Sequence, residues 1–226
     1  MPIIDNINVD QPKKRRKTHA LILLDETGSM AGSEKDTVDG INEHINHLKI
    51  DRGDDVLLTL VKFDSTKYQP IYSATPIENV KLLKYEDYQP GAATNLFDSI
   101  GRLITTADEG GADAMLCIIM TDGMENASKE FTKDNVKSLI EKKRKQDKSW
   151  VFTFLGADMD AYSASGGIGI AAASTVSVSK ANLGRAYGMT TNSMDNFRTS
   201  NAAGSILREG QLYSDEDKKK VEEKGE

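Results

Sequence analysis

Three short runs of this 226-residue chain concentrate hydroxyls and carboxylates. They are Asp25-Glu26-Thr27-Gly28-Ser29-Met30, Gly91-Ala92-Ala93-Thr94-Asn95-Leu96-Phe97-Asp98 and Thr121-Asp122-Gly123-Met124-Glu125-Asn126. Together they offer hard oxygen donors and no soft ligand. Such donors suit Mg²⁺, Mn²⁺ or Ca²⁺, not zinc. The glycines let the backbone bend tightly, so that alternate side chains can point at one spot.

The elements between these runs decide whether they can meet. His19 to Leu24, Val56 to Val61, Met115 to Met120 and Trp150 to Leu155 are continuous apolar stretches, and Thr175 to Val178 is a shorter one. Tyr68 to Ser73, bounded by Pro70 and Pro76, reads as an edge strand. Thr37 to Ile50 carries Val38, Ile41, Ile45 and Leu48 on one helical stripe. Asn95 to Thr106, Lys133 to Lys148 and Asn182 to Arg198 read as further helices. Buried strands alternating with helices predict an α/β domain with a doubly wound, mostly parallel six-stranded sheet, one antiparallel edge strand and helices on both faces. In such sheets the binding site lies beyond the carboxyl ends of the strands, where the acid-and-hydroxyl runs fall.

Composition narrows the field further. At 38% hydrophobic residues the chain can bury a core, and the net charge of −6 gives no general attraction to nucleic acid. The single cysteine, Cys117, lies in the run Ala114 to Met120 and reads as a small buried thiol. No secretory leader and no membrane-length apolar run is visible, so a cytoplasmic location is expected. Residues 1–16 read as a flexible arm ending in the basic run Lys13 to Lys17, 17–205 as the folded domain, and 206–226 as a charged, disordered tail.

Asp25, Thr27 and Ser29 match the pattern D-x-[ST]-x-S, with Thr94 and Asp122 following in order at other strand ends. This set resembles the metal-ion-dependent adhesion site of the von Willebrand factor type A family. The stretches Phe154 to Asp158 and Gly167 to Ala172 resemble a bacterial and phage branch of it. The resemblance implies a metal held by Asp25, Thr27, Ser29, Thr94 and Asp122, and a protein partner whose Asp or Glu carboxylate completes the coordination, without catalysis. Two carboxylates balance a 2+ ion. If the hydroxyls bind directly and the carboxylates act partly through water, the metal stays electrophilic. Glu26 and Glu125 depart from a neutral rim and are expected either to tune metal choice or to be solvent-exposed.

Two other functions compete. An apolar strand followed by Asp25-x-Thr27-Gly28-Ser29 also resembles the phosphorylated-aspartate loop of P-type ATPases and haloacid-dehalogenase-like phosphatases, in which Asp25 would be the nucleophile. Against this, Thr27 stands where soluble members carry a second Asp, only Asp122 fits the later metal loop, and no lysine motif lies clearly between the two. A regulatory subunit of an ATPase partner is the other, although the chain supplies no nucleotide site. Gly167-Ile168-Gly169-Ile170-Ala171-Ala172 comes too late for a dinucleotide loop and reads as a helix-to-strand turn. His44 and His47 have metal-like spacing, but solvated or capping roles are expected of them.

Overall fold

A computed structural model describes residues 14–145 and 149–222. Six strands form one sheet in the order β3-β2-β1-β4-β5-β6. They are β1 (Arg16–Asp25), β2 (Asp54–Asp64), β3 (Lys67–Pro76), β4 (Ala114–Thr121), β5 (Ser149–Ala157) and β6 (Thr175–Val178). All neighbours are parallel except β2 and β3. The expected mostly parallel, six-stranded sheet with one antiparallel edge strand is therefore what forms.

Alternation along β1 sorts the core into two layers. Ala20, Ile22 and Leu24 face one side, against Val38, Ile41 and Ile45 of α1 (Glu34–Leu48) and Ala186, Tyr187 and Met194 of α5 (Leu183–Ala202). Leu21 and Leu23 face the other, against Ile100 and Leu103 of α2 (Leu96–Thr106), Val136 and Ile140 of α3 (Lys133–Arg144), and Ala161 of α4 (Ala161–Gly167). Gly40 lets α1 and α5 close up, since a Cβ there would lie 2.3 Å from Tyr187 Cγ. Cys117 is fully buried in the second layer, as expected, and burial pushes its thiol well above the usual range.

The chain leaves β1 toward β2 on one side, and β4 sits on the other. The order reverses at that boundary, so the loops after β1 and β4 part and leave a crevice between them.

Two terminal expectations need correction. Residues 206–222 are not a disordered tail. They carry α6 (Asp215–Glu222), and Leu212, Tyr213 and Val221 join the first core layer. Tyr213 is the anchor, its hydroxyl shared with Thr153 at 2.8 Å. Residues 1–13 of the expected arm lie outside the described residues, but its basic end is used internally. Arg15 pairs with Asp51 and Asp55, Arg16 donates to Asn201, and Lys17 donates to the Gly110 carbonyl. Among the described residues, no helix is long and apolar enough to cross a membrane.

Candidate metal centre

The five expected residues come together at the β1–β4 boundary. Asp25 ends β1 with its side chain turned inward and fully buried. Its Oδ1 accepts from the Thr27 backbone N–H at 2.7 Å, and its Oδ2 accepts from the Thr121 hydroxyl. The Thr27 and Ser29 hydroxyls lie 3.0 Å apart, and the Ser29 hydroxyl donates to Asp122 Oδ1 at 2.5 Å. Thr94 reaches the group from the loop before α2. A Cβ on Gly123 would lie 2.4 Å from Thr94 Oγ1 and 3.3 Å from Asp25 Oδ2, so only glycine leaves room for both.

The loops are held firmly. Gly28 donates to the Ala92 carbonyl at 3.1 Å, with Ala92 in the left-handed region at φ 59°. That backbone conformation costs roughly 1–2 kcal/mol in a residue with a Cβ. Asn126 Oδ1 accepts from Thr94 N, while Asn126 N and Ala127 N donate to the Thr94 carbonyl. Asp98, on the first turn of α2, accepts from the backbone N–H groups of Lys129, Glu130 and Phe131. The Tyr88 hydroxyl donates to the Asp25 carbonyl at 2.6 Å.

Burial and the charge of Asp122 push the Asp25 carboxyl up to about 6, against the hydrogen bonds from Thr121 and Thr27. Two carboxylates in one crevice thus lack sufficient neutralisation from the surrounding dipoles. Asp122 Oδ2 is buried, and Lys180 Nζ lies 2.7 Å from it as an ion pair. A buried carboxylate oxygen countered by a single ammonium, beside three hydroxyls and a second buried carboxylate, fits a hard divalent cation. Among the described residues, no group of three or more His, Cys, Asp or Glu could hold a metal, so a cation here must draw on hydroxyls.

Glu26 and Glu125 depart from expectation. Glu26 is 1% exposed, and its carboxylate lies 3.0 Å from both Lys62 Nζ and Lys67 Nζ while also accepting from Gln89 N. It is a buried ion-paired strut facing β2 and β3. Glu125 accepts from the backbone N–H groups of Phe97, Ala127 and Ser128, capping the start of α2. Neither is a solvated rim acid, nor does either join the hydroxyl cluster. His44 is fully buried with Nδ1 at 2.8 Å from the Gly40 carbonyl, and His47 Nδ1 pairs with Asp195 Oδ2 at 2.7 Å, so neither is merely solvated. The turn at Gly167 to Ala172 does join α4 to β6, as its position suggested.

Sequence reasoning placed Thr121 in an acid-and-hydroxyl run without giving it a role, and it did not find Lys180. The first was signalled by its place beside Asp122. The second follows β6 and carries no local pattern, although β6 ends on the same side of the sheet as β1 and β4.

No protein-family model and no curated protein sequence matches the chain. Solved structures do. The chain is similar in fold to proximal thread matrix protein 1 from the mussel byssus, with a TM-score of 0.60 and 12% identity over 78% of this chain. It spans only 46% of that protein. It is similar to the vWF domain of the type V pilus tip protein Mfa5 from Porphyromonas gingivalis, with a TM-score of 0.57, 12% identity, and 86% of this chain and 98% of that one covered. A von Willebrand factor type A structure from Catenulispora acidiphila gives 0.54 at 14% identity, covering 82% of this chain and 43% of that one. These likenesses identify the architecture as a von Willebrand A-like, Rossmann-like α/β fold.

Proposed function

We propose that this chain is a divalent-metal-dependent protein-binding module, with Mg²⁺ as the expected ion and Mn²⁺ or Ca²⁺ as alternatives. The observation that carries the reading is the meeting of Asp25, Thr27, Ser29, Thr94 and Asp122 at one crevice, with two buried carboxylates countered there, among the described residues, only by the Lys180 ammonium. Ser29, Thr27 and Thr94 would supply neutral oxygens, and Asp25 and Asp122 the balancing charge. The ion, when bound, offers an electrophilic position that a partner's Asp or Glu carboxylate can fill. The chain's own contribution is positional. Asp25 is locked by Thr27 and Thr121, and Thr94 by Asn126, so the donors are set before any partner arrives.

The same geometry argues against Asp25 as a phosphate-accepting nucleophile. Its side chain is fully buried, which leaves a phosphoryl group no open approach to the carboxylate.

The test is capture of binding partners in Mg²⁺ and in EDTA, by the wild type and by Asp25→Ala. Partners retained in Mg²⁺ and lost in both EDTA and the variant support the reading. An unchanged set of partners sinks it.

A further inference from the structure

Lys180 stands outside the five-residue pattern, yet its ammonium enters the crevice. Nζ lies 2.7 Å from Asp122 Oδ2 and donates to the Ser29 carbonyl at 2.5 Å. It thus contacts both loops that would hold the ion. Its backbone is anchored separately. Lys180 N donates to Asp158 Oδ1 at 3.1 Å, and Asp158 N donates to the Val178 carbonyl at 2.9 Å. The loop after β6 is thereby tied to the loop after β5. The Lys180 side chain is 34% exposed, so it has a path from the crevice to water that needs no backbone movement.

We propose that Lys180 is a tethered counter-cation of the metal centre, holding the Ser29–Asp122 corner in the absence of a divalent ion and being displaced when one binds. This rests on the metal-binding reading of the same site. An ammonium and a divalent ion cannot share one buried carboxylate oxygen without strong repulsion in a low-dielectric crevice. The lysine therefore sets the concentration at which metal enters. Without it, Asp122 Oδ2 would face Asp25 with no opposing charge, and the metal-free protein would be less stable.

The experiment uses Mn²⁺ as the probe, with affinity read by electron paramagnetic resonance for the wild type, Lys180→Met and Thr94→Ala. Lys180→Met is expected to bind Mn²⁺ at least about tenfold more tightly than the wild type, because a nearby positive charge is removed. Its melting temperature is expected to fall in EDTA and to recover in Mn²⁺. In the wild type, the rate at which an amine-acylating reagent modifies Lys180, followed by peptide mass spectrometry, is expected to rise when Mn²⁺ saturates the protein. Wild-type binding that is unchanged or weakened in Lys180→Met, or a modification rate indifferent to Mn²⁺, would overturn the proposal and leave the metal site standing. Absence of Mn²⁺ binding in both wild type and Lys180→Met would overturn the metal reading and this proposal together.

Discussion

The Ser29 hydroxyl donates to Asp122 Oδ1 at 2.5 Å across a separation of 93 residues. It joins the loop after β1 to the loop after β4, the two adjacent parallel strands whose departing loops flank the crevice. A hydroxyl that already donates its proton to a carboxylate keeps its lone pairs for a cation. Ser29→Ala removes both roles. It is expected to weaken Mg²⁺ or Mn²⁺ binding by about 10- to 100-fold, read by calorimetric titration. The metal-free stability should fall by about 1.5–3 kcal/mol, the worth of a hydrogen bond to a charged group. Equal metal affinity in the variant would remove Ser29 from the site.

Gly123→Ala tests the space on which Thr94 and Asp25 depend. Its Cβ would meet Thr94 Oγ1 at 2.4 Å, so that hydroxyl must move. The expected outcome is lost metal binding with a stability cost of about 1–3 kcal/mol, typical of overpacking. Gly91→Ala is the control, because nothing lies within 4 Å of its Cβ position. If both variants bind metal like the wild type, Thr94 is not held where the cation needs it.

Glu26 is a structural charge, and its loss should be felt in stability. Glu26→Gln would leave Lys62, 6% exposed at its side chain, without its carboxylate partner. Breaking a buried pair by removing one member is expected to cost about 3 kcal/mol. Urea unfolding measures this, and the double variant Glu26→Gln, Lys62→Met is expected to recover part of the loss. A Glu26→Gln variant of normal stability but altered metal affinity would restore the metal-tuning role expected of this residue from its position.

Burial holds His44 neutral, lowering its imidazole to about 4 from 6.5. Nδ1–H is assigned as donor to Gly40, and Nε2 is buried without a partner. Protonation would place an unmatched charge there. The unfolded chain binds this proton first, so stability is lost as pH falls from about 6.5 to about 4 and levels off below. Each unit of separation corresponds to about 1.4 kcal/mol. His44→Gln keeps a donor for Gly40 and removes the titration. Measured by urea unfolding at each pH, the wild type is expected to lose stability relative to the variant over that window, and parallel profiles would refute it.

The strands and the five acid-and-hydroxyl residues were legible because each signal is local. A run such as Ala114 to Met120 admits little besides a strand buried on both faces, and the strand-end rule then says which loops to search. What escaped was long-range. Glu26 looks like a second loop acid beside Asp25 until Lys62 on β2 and Lys67 on β3 are seen against it. Helix α6 reads Asp-Glu-Asp-Lys-Lys-Lys-Val-Glu, with almost nothing to bury. It docks through Val221, the stem of Lys218, and Tyr213 just ahead of it. Lys180 enters the crevice from a strand two places away from β4, a contact that no periodicity encodes.

The outer strand β3 has a further consequence. It carries Pro70 and Pro76, breaks register twice against β2, and includes Ala74 at φ 43°. Such a margin offers a poor template for an incoming backbone. The opposite margin, β6, is four residues long and lies against α6. Strand addition therefore has little to extend at either border. The margins of the sheet thus offer little to backbone pairing, and on the proposed reading the ends of the strands are where a partner's side chain would dock.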